Sequence, residues 1–386
     1  METQPETAGR IWSRHDAFST TCGGLIALAA AIGVGRFVYT PILPAMMDAL
    51  GLSRSAAGLI ASANFAGYLI GALLAAWPNL AGPRRAWLLG SLTVSAITTG
   101  GMALGQSLAT FLVLRFIGGA ASAVVLVFAS AIVLESLTDT RHAALHFAGV
   151  GVGVAVSAVL VAGLIHIGQS WQSLWLGAGA LSLLAVVGVA LLIRDGTAPS
   201  IVGRREAAWI FQPRLVRLIA AYGLFGFGYV ITATFIVVIV RGTPALSAME
   251  SVIWIVFGVA AAPSVTGWSR ISARLGIPVA FALACVVEAC GVLASVVWPS
   301  EGGVFLAAIL VGGTFMGLTA LGLVRARTLA GGDPRRALAL MTSAFGLGQI
   351  VGPVFAGALS DQLGSFVAPS AAAAVALVVA AGLALR

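Results

Sequence analysis

The feature that most constrains this chain is its long runs without a single charge. Residues 55–83 hold no Asp, Glu, Lys or Arg, and neither do 86–114, 142–193, 218–240, 251–269, 302–324, 337–360 and 362–385. A helix needs about 20 apolar residues to cross a bilayer core. Runs of that length, one after another, leave a water-soluble fold nothing polar to put on its surface. Composition agrees: 60% of the residues are hydrophobic and 9% are charged, against roughly 25% charged in an ordinary soluble domain. A soluble enzyme and a disordered scaffold are excluded. So is a nucleic-acid binder, because a net charge of +8 over 386 residues is too thin to form a basic face.

The pattern predicts twelve membrane helices, at about 17–47, 54–77, 86–105, 108–137, 141–167, 171–193, 214–240, 247–269, 277–298, 302–325, 334–360 and 366–385. They are numbered here as spans 1 to 12. Prolines 41 and 44 should bend the outer end of span 1, and Pro263 and Pro353 should bend spans 8 and 11. All 21 basic residues are Arg. With the N-terminus inside, 17 of them fall on cytoplasmic segments, and only Arg54 and Arg241 fall on outer loops. The positive-inside rule therefore predicts two cytoplasmic termini. The first sixteen residues carry Arg10, Arg14 and Asp16 and lack the apolar core of a cleavable leader. Cys22, Cys285 and Cys290 all lie in apolar runs and read as small packing residues.

The polar stretch 194–213 divides the spans six and six. Sliding one half against the other reveals a repeat at a nearly constant offset of 193 to 195. Gly33 to Arg36 fall on Gly226 to Tyr229, and Leu52-Ser53 on Leu246-Ser247, each Ser placed to cap the next helix. Gly82 falls on Gly276, Gly118-Gly119 on Gly312-Gly313, Arg141 on Arg336, and Gly151 to Gly153 on Gly346 to Gly348. The expected organisation is a first six-helix half at 1–193, a cytoplasmic connector at 194–213 and a second half at 214–386. Six spans per repeat give both halves the same orientation, with a central site between them.

Local motifs point the same way. Arg115-Phe-Ile-Gly-Gly119 on span 4 resembles the R-x-x-x-G motif of the major facilitator superfamily, and Gly348 to Pro353 resembles its G-x-x-x-G-P motif. The 2–3 loop, Asn79 to Arg85, resembles its D-R-x-G-R-R motif with Asn79 in place of the acid. Longer strings resemble the YbfB/YjiJ family within that superfamily. They are Gly33 to Pro41, Phe147 to Gly153, Tyr222 to Phe235 and Ala344 to Pro353. The resemblance implies an all-α membrane protein, a 6+6 pseudo-repeat around a central cavity, and a bacterial inner-membrane transporter. It does not imply a substrate.

Arg36 is the sharpest chemical feature. It sits well inside span 1, cannot lose its proton, and costs several kcal/mol to bury unless it meets water or a partner. Its planar fork suits a carboxylate or phosphate. Tyr39, three residues on, shares its face, and Tyr229 and Thr232 repeat that spacing on span 7. Arg115 is the second intramembrane Arg, and the superfamily resemblance implies a role in proton coupling or substrate charge; a brace to neighbouring helices is the structural alternative. Asn64 and Tyr68 share a face of span 2, and Gln349 is the long amide of span 11. These eight residues are the expected substrate contacts. Arg84, Arg85, Glu135, Arg141 and Tyr222 are the expected inner gate. His146, one turn into span 5, is a candidate for coupling because imidazole titrates near neutral pH. Glu288 is the acid nearest mid-membrane; the resemblance puts span 9 on the periphery, where a structural or lipid-facing carboxyl is expected.

No acid lies within spans 1 or 7, and no Walker loop, Ser/His/Asp triad or Cys cluster is present. The expectation is a secondary transporter, not an enzyme, with no cofactor and no metal. Charge complementarity favours an anionic or neutral small substrate with a proton as coupling ion, and one chain supplies a whole pathway, so a monomer. The alternative is an efflux pump for amphiphilic drugs, with Phe37, Phe225, Phe227 and Phe235 lining its cavity.

Overall fold

Charges sit at helix ends and Leu, Ala, Val and Gly fill the interiors, and the chain folds accordingly. The computed structural model describes residues 14–77, 82–136, 140–194, 212–330 and 334–385. Among them are twelve helices long and apolar enough to cross a membrane, and no strand. The spans run Asp16–Leu50, Arg54–Ala75, Arg84–Leu104, Leu108–Glu135, Ala143–His166, Trp171–Leu192, Pro213–Arg241, Pro244–Ala261, Ile277–Val297, Glu301–Leu329, Arg336–Leu363 and Val367–Leu385. With twelve crossings, the start of span 1 and the end of span 12 lie on one face, called here the terminal face. Leu184, Val187 and Leu191 on span 6 point outward and exposed, as lipid-facing side chains do. Serine caps start three spans: Ser53, Ser170 and Ser300 accept from the N–H groups of Ala56, Ser173 and Gly303.

Three local expectations need correction. Span 1 is interrupted one turn before its prolines. A helix at Arg14–Leu28 passes into a π-turn at Ala29–Val34, the chain turns through 35–38, and a second helix runs Tyr39–Leu50. Pro41 has no N–H to give Phe37, whose carbonyl accepts from Thr40 at 3.2 Å instead. Span 8 breaks at Pro263 as expected, but its chain continues as a helix at Ser264–Leu275, beyond the expected end. Pro353 lies inside a continuous helix at Pro334–Leu363. Ser247 caps nothing; it lies in a 3-10 turn at Pro244–Met249 and donates to the carbonyl of Pro244.

The repeat does the same structural work twice. Gly82 and Gly276, each after the second span of its six, have φ of 115° and 81°, which side-chain-bearing residues avoid. A Cβ on Gly33 of span 1 would stand 2.5 Å from Gly153 of span 5, and one on Gly348 of span 11 would stand 2.2 Å from the Gly223 carbonyl of span 7. Backbones meet at both crossings, as small residues allow in membranes. The two sets of six meet where span 1 packs on span 7, span 2 on span 11 and span 5 on span 8.

Candidate functional site

The interruption of span 1 creates the site. Thr40 bonds Phe37 instead of reaching back to Arg36, so the Arg36 carbonyl is left without that helical partner. Arg115 of span 4 supplies one. Its Nη1 donates to the Gly35 carbonyl and its Nη2 to the Arg36 carbonyl, both at 2.9 Å. Tyr39 and Trp175 lie with ring centres 5.1 and 6.0 Å from the Arg115 guanidinium. Asn64 Nδ2 donates to the Arg115 carbonyl at 2.9 Å, and the Tyr39 hydroxyl to the Ala57 carbonyl at 2.9 Å. Arg115, Asn64 and Tyr39 thus tie spans 1, 2 and 4 around the break.

Arg36 is held differently. Its guanidinium carbon lies 4.4 Å from the Phe65 ring centre and 4.5 Å from that of Tyr68, both on span 2. Such stacking orients a cation without using its N–H groups. Arg36 Nε and Nη2 have no hydrogen-bond partner in the protein, although the side chain is buried. It does not face lipid.

The last six spans bring an aromatic wall to the same place. Phe37, next to Arg36, lies 6.3 Å from Trp254 of span 8 and 5.9 Å from Phe315 of span 10, centre to centre. Phe315 stacks on Tyr229 of span 7 at 5.7 Å, and Tyr229 stacks on Phe345 of span 11 at 5.8 Å. Tyr229 is within electrostatic reach of Arg36. Gln349 Nε2 donates to the Tyr229 hydroxyl, leaving Gln349 Oε1 unpartnered. Thr232 Oγ1 and Trp254 Nε1 are also buried without partners. Buried polar groups are nearly always satisfied in folded proteins, so these spare donors and acceptors single the region out as the candidate site. All of these side chains but the half-buried Phe345 are buried, so this conformation encloses Arg36 and Tyr229.

The structure therefore brings Arg36, Tyr68, Tyr229 and Gln349 together. Tyr222 extends the wall toward the terminal face, its ring 5.0 Å from Phe345 and its hydroxyl donating to the Thr319 carbonyl. Of the aromatic residues expected for a drug pump, Phe37 and Phe225 join the wall, whereas Phe227 pairs with Phe355 and Phe235 with Phe366.

Of the residues expected at the inner gate, Arg84, Arg85 and Glu135 bond within the first six spans. Arg84 meets Glu135 at 2.5 Å, and Arg85 caps span 6 through the Ile193 and Ala190 carbonyls at 2.7 and 2.8 Å. These bonds stitch spans 3, 4 and 6 to one another. The Arg141 side chain and Asn79 lie outside the described residues. His146 pairs with Ser130 at 3.0 Å and packs on Gly24, about three turns from Arg36 along span 1. Glu288 is fully buried and so faces no lipid.

One cluster escaped the sequence reading. On the face opposite the termini, Arg241 of span 7 meets Asp48 of span 1 at 2.7 Å and Glu250 at 3.2 Å. Asp361 of span 11 accepts from the N–H groups of Arg54 and Ser55 at 3.1 and 2.8 Å, and from the Ser55 hydroxyl at 2.5 Å. Thr40 donates to the Ala233 carbonyl at 2.8 Å. These contacts latch the first six spans to the last six. A signal existed: Asp48 and Arg241 are opposite charges 193 residues apart, which is the repeat offset.

Known proteins agree with this arrangement. A family model described as "Uncharacterised MFS-type transporter YbfB" matches residues 28–385. The chain belongs to this family. It is a multi-pass membrane transporter, not an enzyme, of the major facilitator type. A "Chloramphenicol resistance protein" of Streptomyces lividans is 29% identical over 382 residues, covering 92% of this chain and 94% of that protein. Among solved structures, a bacterial homologue of the human lysosomal transporter Spinster, inward-facing and unoccupied, superposes with a TM-score of 0.70 at 15% identity, covering 97% of both chains. A point mutant of the nucleoside transporter NupG gives 0.71 at 16% identity, covering 95% of this chain and 97% of that one. Both likenesses are of fold.

Proposed function

We propose that this family member moves a small organic anion with an apolar or aromatic body across the bacterial inner membrane by alternating access. Residues 1–193 and 214–386 are the two rocking halves in this reading, 194–213 is their connector, and both termini are cytoplasmic. The observation that carries it is Arg36: a buried permanent cation, oriented by rings, with Nε and Nη2 free to bond an anion. The aromatic wall from Phe37 to Phe345 would receive the apolar body, and Tyr68, Tyr229, Thr232 and Gln349 would set specificity. The bonds of Arg115, Asn64 and Tyr39 support a bracing role for them rather than substrate contact.

The test is thermal stability of the purified protein with benzoate, benzenesulfonate, chloramphenicol and cationic amphiphiles. A ligand raises the melting temperature with concentration, because it binds only the folded state. A shift from benzoate or benzenesulfonate that disappears in Arg36→Ala supports the reading. A shift from the uncharged or cationic compounds alone, unchanged in Arg36→Ala, overturns it. That second outcome is the one a drug exporter predicts, a reading favoured by the resistance named for the Streptomyces lividans relative and by the aromatic wall.

A further inference from the structure

Glu288 lies in the middle of span 9 and is the one fully buried acid among the described residues. Neither carboxyl oxygen has a hydrogen-bond partner in the protein. Spans 7, 10 and 12 and the helix Ser264–Leu275 pack on span 9. Each offers little charge. Span 12 carries no titratable residue, and span 10 carries Glu301, Arg325 and Arg327 only near its ends. The helix Ser264–Leu275 carries Arg270 and Arg274, both exposed. Span 7 carries Arg214, Arg217 and Arg241 near its ends and contributes Tyr222 and Tyr229, the latter within electrostatic reach of the carboxyl, and span 9 itself contributes Cys285.

The polar neighbour is Thr314 of span 10. Its hydroxyl already donates to the Leu310 carbonyl at 2.6 Å, so it has only lone pairs left for Glu288. A neutral carboxylic acid has a proton to give such a neighbour. A carboxylate needs donors, finds none here, and is expensive in apolar surroundings. The closed conformation therefore accommodates the acid form. A cavity of about 260 Å³ opens near the terminal face beside Arg214, Leu218, Phe281 and Arg325. Phe281 is seven residues from Glu288, about 10 Å along the helix, so this cavity ends two turns short of the acid on the same span.

Thr314, beside the acid, is followed on span 10 by Phe315, which stacks on Tyr229 and packs on Phe37 next to Arg36, so one span joins the buried acid to the buried cation. We propose that Glu288 is a proton-binding site of this transporter, and that its proton and the anion at Arg36 are held together. The step is simple: a carboxylate oxygen takes a proton from a hydronium ion, one O–H bond breaks there as one forms on the carboxyl, and a buried negative charge disappears. The anion then binds more tightly, and by linkage the bound anion holds the proton more tightly. The coupling rests on the organic-anion reading of Arg36; the proton site does not.

Infrared spectra of the full-length protein in lipid nanodiscs, stepped from roughly pH 5 to 9, test the site. The expected result is a protonated-carboxyl band that fades as pH rises and is absent in Glu288→Gln at every pH. A wild-type band unchanged across the range, or no band at all, overturns the proposal. Should Glu288→Gln fail to fold, Glu288→Asp serves, because it shifts the band without removing the acid. Coupling is read by calorimetry with benzenesulfonate, which stays ionised throughout. Wild type should bind it about 5- to 100-fold more weakly at the high end, and Glu288→Gln should bind it equally at both ends. Binding without pH dependence in wild type overturns the coupling. No benzenesulfonate binding at any pH sinks the anion reading, and the infrared titration then decides the proton site alone.

Discussion

Arg36 and Arg115 are buried to the same depth, 5% and 4% exposed, and aromatic rings lie against both. They differ in what their N–H groups meet. Arg115 spends Nη1 and Nη2 on two carbonyls at the break in span 1 and leaves only Nε without a partner. Arg36 is gripped by ring faces that leave Nε and Nη2 unused. The first arginine completes a backbone that would otherwise carry unsatisfied acceptors. The second is kept incomplete by the fold. Burial alone says nothing about role in a membrane protein; the inventory of bonds does.

The largest expected effect is at Arg115. Arg115→Ala strips two buried carbonyls of their donors and should cost about 2–5 kcal/mol of stability, seen as a large fall in melting temperature. Arg115→Lys should recover little, since an ammonium cannot span two acceptors in a plane as a guanidinium does. A melting temperature near wild type for Arg115→Ala would remove the distinction between the two arginines. Arg36→Ala should behave in the opposite way. Without ligand it melts near wild type or above it, because an under-bonded buried charge is removed. What it loses is the stabilisation by bound anion, about 2.7 kcal/mol at a hundred times Kd.

The twelve spans were legible because charge-free runs of about 20 residues have one physical use. The repeat was legible because positive φ at Gly82 and Gly276, and backbone contact at Gly33 and Gly348, tolerate nothing larger. The break at 35–38 was misplaced onto Pro41 and Pro44, since sequence shows where an N–H is missing but not which carbonyl finds a new donor. For the same reason the sequence presented Arg36 and Arg115 as one kind of residue. The Asp361–Arg54 contact was hidden because it joins residues 307 positions apart with no repeat to relate them, and loop charges near a membrane surface look alike until the halves are docked.

The contacts between the two sets of six offer a third test, with bonds that are exposed and individually weak. Asp361→Ala removes acceptors from the first N–H groups of span 2, a capping loss of about 1 kcal/mol. Its larger consequence is to loosen the latch between the two sets of six. Cysteine placed at Ser62, which donates to the Ile350 carbonyl on span 11 at 2.7 Å, should become easier to alkylate in the Asp361→Ala background. Unchanged labelling would mean that the seam is held elsewhere.

The smallest effect restates the arginine contrast with hydroxyls. Tyr39 donates to the Ala57 carbonyl, whereas Thr232 Oγ1 has no partner in the protein. Tyr39→Phe should lower stability by about 1 kcal/mol and leave benzenesulfonate affinity as it was. Thr232→Val keeps the shape and deletes an unmatched polar atom, so stability should hold within about 0.5 kcal/mol. Its cost should appear in affinity, a loss of about 1 kcal/mol or roughly fivefold if the hydroxyl bonds the ligand. Equal behaviour of the two variants would break the rule that unpartnered groups mark the site, because Thr232 would then be no different from a bonded hydroxyl in the frame.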